Sequence, residues 1–350
     1  MRGIQSGQEI GMVRIGIVGI GFMGMIHFLA ARKLQGAAVT ALHSRDPKKL
    51  AGDWRSIQGN FGPRGEMMDL SGFKKYQRFE DLLADADVDL VDICLPTHLH
   101  APAAIAALKA GKHVLVEKAI ALTPEDAEAM VEAARQAQRL LMVAHVLPFF
   151  PEFAFAFETI RSGRYGKLLA GQFIRVISKP DWSADIADAA KTGGPAVDLH
   201  VHDTHFIGLI GGVPRAVFSR GVVNNGVVEH LTTQYVYDDG PALSCTSGAI
   251  CQKARPFVHG YELYLEQATL TYQSDGRPLT VLHADGNTEK PALSGGDDAT
   301  AAFTAELQCA ADAVRSGKEP DLLSGRLARD ALVMCFKEIE SVRTGQAVPL

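Results

Sequence analysis

The sequence has few cysteines and no excess of positive charge. Its 350 residues include five cysteines, Cys94, Cys245, Cys251, Cys309 and Cys335, and no two of them form a C-x-x-C pair. An odd and widely spaced set indicates reduced thiols and argues against a disulfide framework or a structural zinc site. The formal net charge of −5 at pH 7 offers no positive footprint for nucleic acid or an anionic membrane. Neither is expected as a partner.

The sequence also lacks internal repeats, low-complexity tracts and long charge runs. One apolar stretch, from Val13 to Ala31, has some likeness to a signal peptide or a membrane span. It contains four glycines and a histidine, it follows Glu9, and no A-x-A cleavage site comes after it, so export is disfavoured. We expect a cytoplasmic protein in which residues 1–12 form a leader of unknown role.

From Val13 to about residue 147, short apolar runs alternate with helical patterns. The candidate strands are Val13–Val18, Ala38–His43, Asp89–Leu95, His113–Glu117 and Leu140–Ala144, and the candidate helices are Phe22–Leu34, Phe79–Ala84, Ala101–Ala110 and Pro124–Gln138. Apolar strands that alternate with helices indicate a parallel sheet covered on both faces. The pattern predicts a doubly wound α/β domain over residues 13–147, with residues 52–75 as an inserted loop.

After residue 147 the strand-like runs become longer, and most of them follow one another without helices. The predicted strands are Leu168–Ser178, Arg215–Val223, Leu231–Tyr237, Ala242–Ile250, Tyr261–Tyr272 and Leu279–Ala284, and the predicted helices are Glu152–Ser162, Thr300–Ser316 and Arg326–Arg343. This order favours an α+β domain with a mostly antiparallel sheet over residues 148–350. In such a composite the reaction usually takes place in the cleft between the domains.

The first strand leads into a glycine fingerprint. Gly19 permits a tight turn, Gly21 lets the backbone approach a pyrophosphate, and Gly24 lets the helix and strand pack closely. The following helix would face the phosphates with free N–H groups. Because the motif lies between a strand and a helix, it predicts a Rossmann dinucleotide-binding domain rather than a glycine-rich turn used only for packing. The expected cofactor contacts are Gly19, Ile20, Gly21, Phe22, Met23 and Gly24.

The end of the second strand bears on the choice between NAD and NADP. NAD enzymes usually place an acid there against the adenosine ribose. Ser44 takes that place, and Arg45 follows it, a pair that can hydrogen-bond and neutralise a 2′-phosphate. Asp46 could be the ribose acid, but Asp46-Pro47 also fits the N-cap and first position of a helix. The sequence slightly favours NADP, with a solvated surface charge as the alternative for Arg45.

Two further segments carry polar residues suited to hydride-transfer chemistry. The first contains CLPTHLH at residues 94–100 and VEKA at residues 116–119, and the second is GGPAVDLHVHD at residues 193–203. Together with the glycine fingerprint and the domain order, they resemble the Gfo/Idh/MocA family of glucose–fructose oxidoreductase and inositol dehydrogenase. The resemblance covers nearly the whole chain from Val13, and it is weak in the strands of the second domain.

The resemblance implies roles for individual residues. The family's E-K-P motif falls on Glu117, Lys118 and Ala119, which would put the Lys118 amine near both nicotinamide and substrate. Ala119 departs from the family's proline and so loses a fixed φ beside the lysine. The family's Asp and His pair falls on Asp198 and His202. The resemblance makes His202 the general acid/base, with Asp198 either orienting it or holding a substrate hydroxyl.

Further contacts follow from the same resemblance. The loop along the nicotinamide side of the cofactor would contribute Leu95, Pro96, Thr97 and His100, in addition to Glu117 and Lys118.

Family members commonly pair through the open antiparallel sheet, which otherwise leaves an uncovered face. A homodimer or homotetramer is therefore expected.

The chemistry of the residues agrees with these roles. Oxidation of an alcohol by hydride transfer needs a base for the hydroxyl proton, and histidine titrates near pH 7. A neighbouring lysine ammonium can stabilise the developing alkoxide. Pro195 predicts the start of a helix that would carry Asp198, His202 and His205 on one face. Lys118 would lower the pKa of His202 and Asp198 would raise it, so the direction of the shift stays open.

Other polar residues have two interpretations each. His145, at the end of the last strand of the first domain, could reach the substrate or cap the sheet, and Trp182 could stack on a sugar or anchor a loop. The residues at 198–205 could bind a metal ion, but on a helix their side chains do not converge, so no metal is expected. His98 and His205 are expected to be structural. The candidate substrate-binding residues are Lys118, His145, Trp182, Asp198 and His202.

Three functions remain after this reasoning. The first is an NAD(P)-dependent dehydrogenase or reductase acting on a sugar, polyol or related hydroxy or keto compound. The second is an NAD-dependent glycoside hydrolase of the same fold, in which the nicotinamide is oxidised and reduced within one turnover. The third is a non-catalytic nucleotide sensor, which the presence of both Lys118 and His202 disfavours.

Overall fold

Two sheets organise the chain. The protein is represented by a computed structural model that describes residues 11–179, 188–293, 298 and 300–350. The strands within these residues form one sheet of six strands and one of nine. No described helix combines the length and the apolar sequence that a membrane crossing needs. All five cysteines are unpaired.

The first sheet is parallel and has the predicted doubly wound arrangement. Its strands are β1 (Val13–Val18), β2 (Ala37–His43), β3 (Lys74–Tyr76), β4 (Leu90–Ile93), β5 (His113–Glu117) and β6 (Leu141–Ala144). The helices around it are α1 (Phe22–Ala31), α2 (Pro47–Leu50), α3 (Phe79–Ala84), α4 (His100–Lys109) and α5 (Pro124–Ala137). The order β3-β2-β1-β4-β5-β6 reverses between β1 and β4, which opens a crevice at the carboxyl ends of these strands.

The segment at 52–75, predicted as an inserted loop, ends in a strand and contributes to the core. β3 pairs with β2 at the edge of the sheet. The sequence of β3 begins with two exposed lysines and carries no apolar pattern, so this strand was missed. The indole of Trp54 is fully buried against Phe28 of α1, with ring centroids 4.9 Å apart. The segment is therefore packed onto α1 and does not extend into solvent as a loop.

The second sheet is mostly antiparallel, as predicted. Its strands are β7 (Leu168–Ser178), β8 (Ala216–Asn224), β9 (Val227–Val236), β10 (Ala242–Cys251), β11 (Val258–Leu265), β12 (Ala268–Gln273), β13 (Arg277–His283), β14 (Thr288–Glu289) and β15 (Val348–Pro349). They lie in the order β14-β13-β12-β11-β7-β10-β9-β8-β15, and the described neighbours are antiparallel except β7 and β10.

One predicted strand is two strands in the structure. Tyr261–Tyr272 was expected to be a single strand, but it contains the end of β11 and most of β12. The two strands pair antiparallel and turn at Glu266 and Gln267. This turn contains no glycine, asparagine or proline, so the usual hairpin signal is missing from the sequence.

The remaining helices cover the second sheet and return to the first. They are α6 (Pro151–Ser162), α7 (Ala189–Thr192), α8 (Pro195–Asp198), α9 (Val201–Gly211), α10 (Ala301–Ser316) and α11 (Gly325–Thr344). The boundary predicted between residues 147 and 148 falls at a 3-10 turn, Leu147–Phe149. α10 packs on α1, and α11 contacts both α5 and β8. α11 therefore connects the first domain to the second sheet, whereas α10 packs on the first domain.

Candidate active site

The glycine turn after β1 has the shape that a bound pyrophosphate requires. Gly19 has a φ of +98°, and a Cβ there would lie 2.7 Å from the Cys94 carbonyl oxygen. A Cβ on Gly24 would overlap the Gly19 carbonyl, so this glycine lets α1 pack against the turn. The Cβ position of Gly21 faces open space, and no side chain caps α1. The N–H groups at the start of α1 are therefore available to the phosphates of a dinucleotide.

A lysine that was not predicted also lies at this turn. The Lys49 ammonium donates a hydrogen bond to the Ile20 carbonyl oxygen, 2.7 Å away. It therefore places a positive charge beside the first turn of α1, where Phe22 and Met23 lie. Nothing in the sequence distinguishes Lys49 from its exposed neighbour Lys48, because only the packing of α2 brings one of them to the glycine turn.

Short-range hydrogen bonds hold Ser44 and Asp46 at the predicted ribose end of the crevice. Ser44 is buried, and its hydroxyl accepts a hydrogen bond from the N–H of Asp46 at 3.2 Å. The Asp46 carboxylate accepts from the N–H of Lys48 at 2.9 Å and caps α2. Of the two interpretations of Asp46, the geometry supports the N-cap. Arg45 is exposed beside them.

The two polar segments of the sequence meet across the cleft. Lys118 follows β5 of the first domain, and Asp198 ends α8 of the second. The Lys118 ammonium donates to the Asp198 carboxylate oxygen Oδ1 at 2.7 Å and to the Asp198 carbonyl oxygen at 2.9 Å. The side chains are 20% and 29% exposed, so the pair borders the cleft. An ammonium and a carboxylate are thereby held together beside His202.

The predicted single helix over residues 195–205 is wrong. α8 ends at Asp198, the chain turns at Leu199 and His200, and α9 begins at Val201. Asp198 and His202 are therefore not on one helix, and the Asp198 carboxylate bonds to Lys118 instead of orienting His202. His200, between the two helices, turns into the core. There it pairs with Glu338 of α11, a partner that local spacing cannot reveal.

His202 lies in the first turn of α9 with a lowered pKa. Its Nδ1 atom is buried and has no hydrogen-bond partner among the described residues. Burial lowers the pKa of His202 well below its usual value, and the charges of Lys118 and Arg175 lower it further. The direction of the pKa shift of His202, which the sequence left open, is therefore downward. A neutral imidazole at pH 7 is ready to accept a proton.

His145 and His205 form a stacked pair beside His202. Their ring centroids are 3.9 Å apart at an interplanar angle of 8°, and the His145 ring lies 6.4 Å from His202 in an edge-on orientation. Both rings are fully buried, and neither has a hydrogen-bond partner among the described residues. Burial lowers the pKa of His205 to about 3 and that of His145 well below its usual value. The structure therefore places His145 in the interior, not on the open cleft.

The polar residues at 198–205 have separate partners. The His200 imidazole pairs with Glu338, and although burial acts to lower its pKa, the carboxylate outweighs that effect and raises it. Asp203 forms a buried ion pair with Arg175 of β7, with Nη2 and Oδ1 3.2 Å apart. With Asp198 bonded to Lys118, the described side chains of this segment diverge and do not surround a common point.

The nicotinamide loop predicted at residues 95–100 is tied to the strand end that carries Lys118. The fully buried His100 ring bridges two carbonyl oxygens, with Nε2 2.7 Å from Leu95 and Nδ1 2.8 Å from Ala119. Thr97 is buried, whereas Pro96 is exposed. The His100 ring therefore fixes the conformation of the loop through its contacts with these two carbonyl oxygens.

Glu117 and Trp182 were also predicted as site residues. Glu117 is buried and turned into the first domain, where Oε2 accepts from the N–H of Lys118 at 3.1 Å and Oε1 lies 3.2 Å from Nε2 of His27. His27 was not predicted, because a histidine inside an apolar helix gives no sign of its partners. Trp182 lies outside the described residues.

Comparisons with known proteins agree with this geometry. Residues 13–145 match the model of GFO_IDH_MocA, an oxidoreductase family with an NAD-binding Rossmann fold. Myo-inositol 2-dehydrogenase from Thermotoga maritima is 26% identical over 355 residues, which cover 97% of this chain and 98% of that protein. A glycosyl hydrolase family 109 protein from Shewanella amazonensis is 29% identical over 208 residues, 56% of this chain and 43% of that protein. The chain spans about half the length of several curated relatives that it matches.

The fold is shared with solved structures over nearly the whole chain. Levoglucosan dehydrogenase in complex with NADH and levoglucosan has a TM-score of 0.83 at 20% identity, over 96% of this chain and 99% of that one. At this identity the similarity concerns the fold, including the second sheet, which the family match does not reach.

Proposed function

We propose that this chain, whose N-terminal domain belongs to the Gfo/Idh/MocA family of NAD-binding oxidoreductases, transfers a hydride between a nicotinamide cofactor and a hydroxy or keto compound. The observation that carries the proposal is the Lys118–Asp198 ion pair, 2.7 Å between Nζ and Oδ1, beside His202. It joins the segment that follows the cofactor-binding strands to the segment of the second domain that supplies a base. A non-catalytic nucleotide sensor would not need this combination.

In the oxidation direction, three side chains have distinct tasks. His202 takes the hydroxyl proton, because its lowered pKa keeps it neutral at pH 7. Lys118 donates to the same oxygen and stabilises the charge that develops there. Asp198 holds the Lys118 ammonium in place and can accept from a neighbouring substrate hydroxyl. The nicotinamide, when bound, accepts the hydride or returns it in the reverse direction.

The proposed substrate class is a sugar, a polyol or a related compound. The names of the relatives support it, since they include myo-inositol 2-dehydrogenase and levoglucosan dehydrogenase. The Lys118–Asp198 pair also suits a neutral substrate, because the lysine cation is already paired with a carboxylate.

We further propose that NADP is preferred to NAD. The exposed Arg45, next to Ser44, can neutralise a 2′-phosphate, and no acidic side chain occupies the position of Ser44. The cap that Asp46 provides for α2 engages its carboxylate away from a ribose.

A homodimer or homotetramer formed through the second sheet is also proposed. On the face of the sheet opposite the buried core positions, several large apolar side chains are 39–46% exposed, among them Val222, Ile250 and Leu282. Burying such a face against another copy removes apolar area from water and protects the sheet. Light scattering coupled to size exclusion would give the oligomeric state.

A reducing compartment, the cytoplasm, is the proposed location. All five cysteines are unpaired, and Cys94, Cys245 and Cys335 are buried in the cores. Unpaired thiols persist where the environment keeps them reduced. Fractionation of cells that express a tagged chain would test the location.

The experiment that tests the function is a cofactor-reduction screen. The purified protein is incubated with NAD⁺ or NADP⁺ and a panel of sugars, polyols and anhydrosugars, and absorbance of the reduced cofactor is followed. Turnover of at least one compound that is lost in Lys118→Met supports the proposal. Release of reducing sugar without net cofactor reduction would instead identify glycoside-hydrolase chemistry. Cofactor binding without any turnover would identify a sensor.

A further inference from the structure

A buried group of ionisable side chains lies beneath Lys118, inside the first domain. It consists of His27 on α1, Asp92 on β4, Cys94 just after β4, Glu117 on β5 and Glu306 on α10, and we call it the His27 cluster. All five residues are less than a tenth exposed. Three carboxyl groups and a thiol thus surround one imidazole where water is excluded. Charges in such a place persist only when they are paired, and otherwise the groups take up protons.

The geometry of His27 specifies where the protons are. Nδ1 is hydrogen-bonded to Asp92 Oδ2 at 2.9 Å, whereas Nε2 lies 3.2 Å from Glu117 Oε1, at ion-pair distance but without an aligned hydrogen bond. A carboxylate only accepts, and a neutral imidazole carries a single N–H. A carboxylate against each ring nitrogen therefore calls for the doubly protonated imidazolium. Burial alone would lower the pKa of His27, but Asp92 and the neighbouring groups raise it well above its usual value.

Glu306, unlike His27, is uncharged. Its Oε2 lies 3.8 Å from Nε2 of His27, and neither of its oxygens has a hydrogen-bond partner among the described residues. Burial raises its pKa well above the usual value, and the charges of Glu117 and Asp92 act in the same direction. Burial likewise raises the pKa of the Cys94 thiol. The consistent assignment is one cation, His27, with two carboxylates, Asp92 and Glu117, while Glu306 and Cys94 keep their protons.

The cluster is connected to the active site through Glu117. One of its oxygens faces His27, and the other accepts from the main-chain N–H of Lys118 at 3.1 Å. The Lys118 ammonium in turn donates to Asp198. A change in the orientation of the Glu117 carboxylate would therefore move the main chain at the lysine.

We propose that His27 is a positioning residue for Lys118: held between Asp92 and Glu117, the imidazolium fixes the Glu117 carboxylate and, through it, the main chain from which the Lys118 ammonium reaches Asp198. The inference rests on the proposed function only where it assigns Lys118 to the chemistry. His27 itself lies on α1 and is fully buried, closed off from solvent.

Neutron diffraction of the wild-type protein tests the protonation directly and needs no activity. The expected map shows hydrogen or deuterium on both Nδ1 and Nε2 of His27 and on the Glu306 carboxyl. A singly protonated His27 would overturn the proposal. So would a metal ion at Nδ1, because ligand atoms of His27, Asp92 and Cys94 lie within 4.8 Å of one another, and imidazole, carboxylate and thiolate are common zinc ligands.

Two substitutions to glutamine in the same cluster test the positioning role. His27→Gln should lower kcat about 10- to 100-fold, the scale of a misplaced catalytic group, while the Kd for the cofactor changes by less than about threefold. Glu306→Gln replaces a protonated carboxyl with a neutral group of the same shape, and its kcat should stay within about twofold of wild type. Equal losses in both variants, or a loss in cofactor affinity alone, would overturn the positioning role.

A double-mutant cycle separates positioning from general damage. If His27 acts through Glu117, then His27→Gln in a Glu117→Gln background should cost little beyond the single change. Additive losses would contradict the connection, and comparing the circular dichroism spectra of the variants would reveal a folding defect. If no compound is turned over in the screen, the proposed function fails, whereas the neutron map still decides the state of His27.

Discussion

Lys118 and Asp198, which stand 80 positions apart in the sequence and follow elements of different domains, form an ion pair with Nζ and Oδ1 2.7 Å apart. Because both side chains are partly exposed, the pair is at the cleft and not within a core. In the proposed function, a substrate oxygen that enters there meets an ammonium whose position is already fixed. Fixed charges of this kind stabilise a transition state without reorganising during the reaction.

Lys118→Met is expected to lower kcat by about 10²–10³, the usual cost of removing one preorganised donor. The Kd of the cofactor should change far less, since the glycine turn holds the phosphates. Steady-state kinetics and cofactor fluorescence measure the two quantities. Lys109→Met, at an exposed position on α4, is the control. A Lys118→Met enzyme with near-normal kcat would remove Lys118 from the chemistry.

Arg45→Asp should weaken NADPH binding and improve the ratio of NADH to NADPH affinity. The reason is the loss of a cation beside the 2′-phosphate and the gain of an acid that can bind the ribose diol. Titrations followed by nicotinamide fluorescence give both Kd values. Lys109→Asp makes the same change of charge far from the ribose site and should leave the ratio unaltered. Tighter binding of NADH than NADPH by the wild type would contradict the assigned role of Arg45.

Stability should fall on mild acidification. The pKa values of His145, His202 and His205 are lowered in the folded protein, so between these values and about pH 6.5 the unfolded chain binds more protons. The stability that these three histidines contribute is then complete above about pH 6.5 and decreases below it, by at most about 1.4 kcal/mol per pH unit for each histidine. The raised pKa values of His27 and His200 act instead above about pH 6.5, where the unfolded chain loses protons that the folded protein keeps.

The measurement is the free energy of unfolding in urea at several pH values from about 7.5 to 5. His205→Phe keeps an aromatic ring stacked on His145 but cannot take up a proton, so its pH dependence should be shallower than that of wild type. An unchanged slope would show that His205 is not protonated on unfolding in this range.

His200→Ala is expected to reduce stability by about 3–5 kcal/mol, because it leaves the buried Glu338 carboxylate without its partner. Replacing both residues, as in His200→Leu with Glu338→Leu, should recover a large part of that loss. Urea denaturation measures both. A loss below about 1 kcal/mol in the single variant would mean that the pair is not what keeps Glu338 in the core.

Most of the first domain could be predicted because its signals are local. The bounds of β1, β5 and α3 agree with the predicted ones, since each is a continuous pattern closed by a turn or a cap. β3 was missed because an edge strand that begins with two exposed lysines has no apolar pattern. The hairpin between β11 and β12 was missed because Glu266-Gln267 is not a usual turn pair.

Only the part of the candidate site that short sequence motifs encode could be predicted. The glycine turn, Lys118, Asp198 and His202 come from short motifs, and the structure brings the last three into one region. The single helix predicted over residues 195–205 is interrupted at Leu199 and His200, and the pairing of His200 with Glu338, which is distant in sequence, has no local signal. Tertiary packing determines the positions of Lys49, His27 and Glu306, and the periodicity of a single sequence does not reveal such packing.

His200→Ala is therefore unsuitable as a control for His202, because it removes half of a buried ion pair. His98 is exposed and lies on the predicted nicotinamide loop, outside the motif that ends in His202. His98→Ala removes an imidazole without leaving a buried charge, and we expect it to keep most of the activity.

The measurement that tests the central claim most directly is the pH dependence of kcat/KM for substrate oxidation, in wild type, His202→Ala and His98→Ala. The wild-type value should rise with pH through one ionisation below about pH 6.5, since the pKa of His202 is lowered, and be level near pH 7. His202→Ala should lose that rise and about 10²–10⁴ in rate, with cofactor affinity almost unchanged. The same pH profile and a near-normal rate in His202→Ala would show that another group takes the proton.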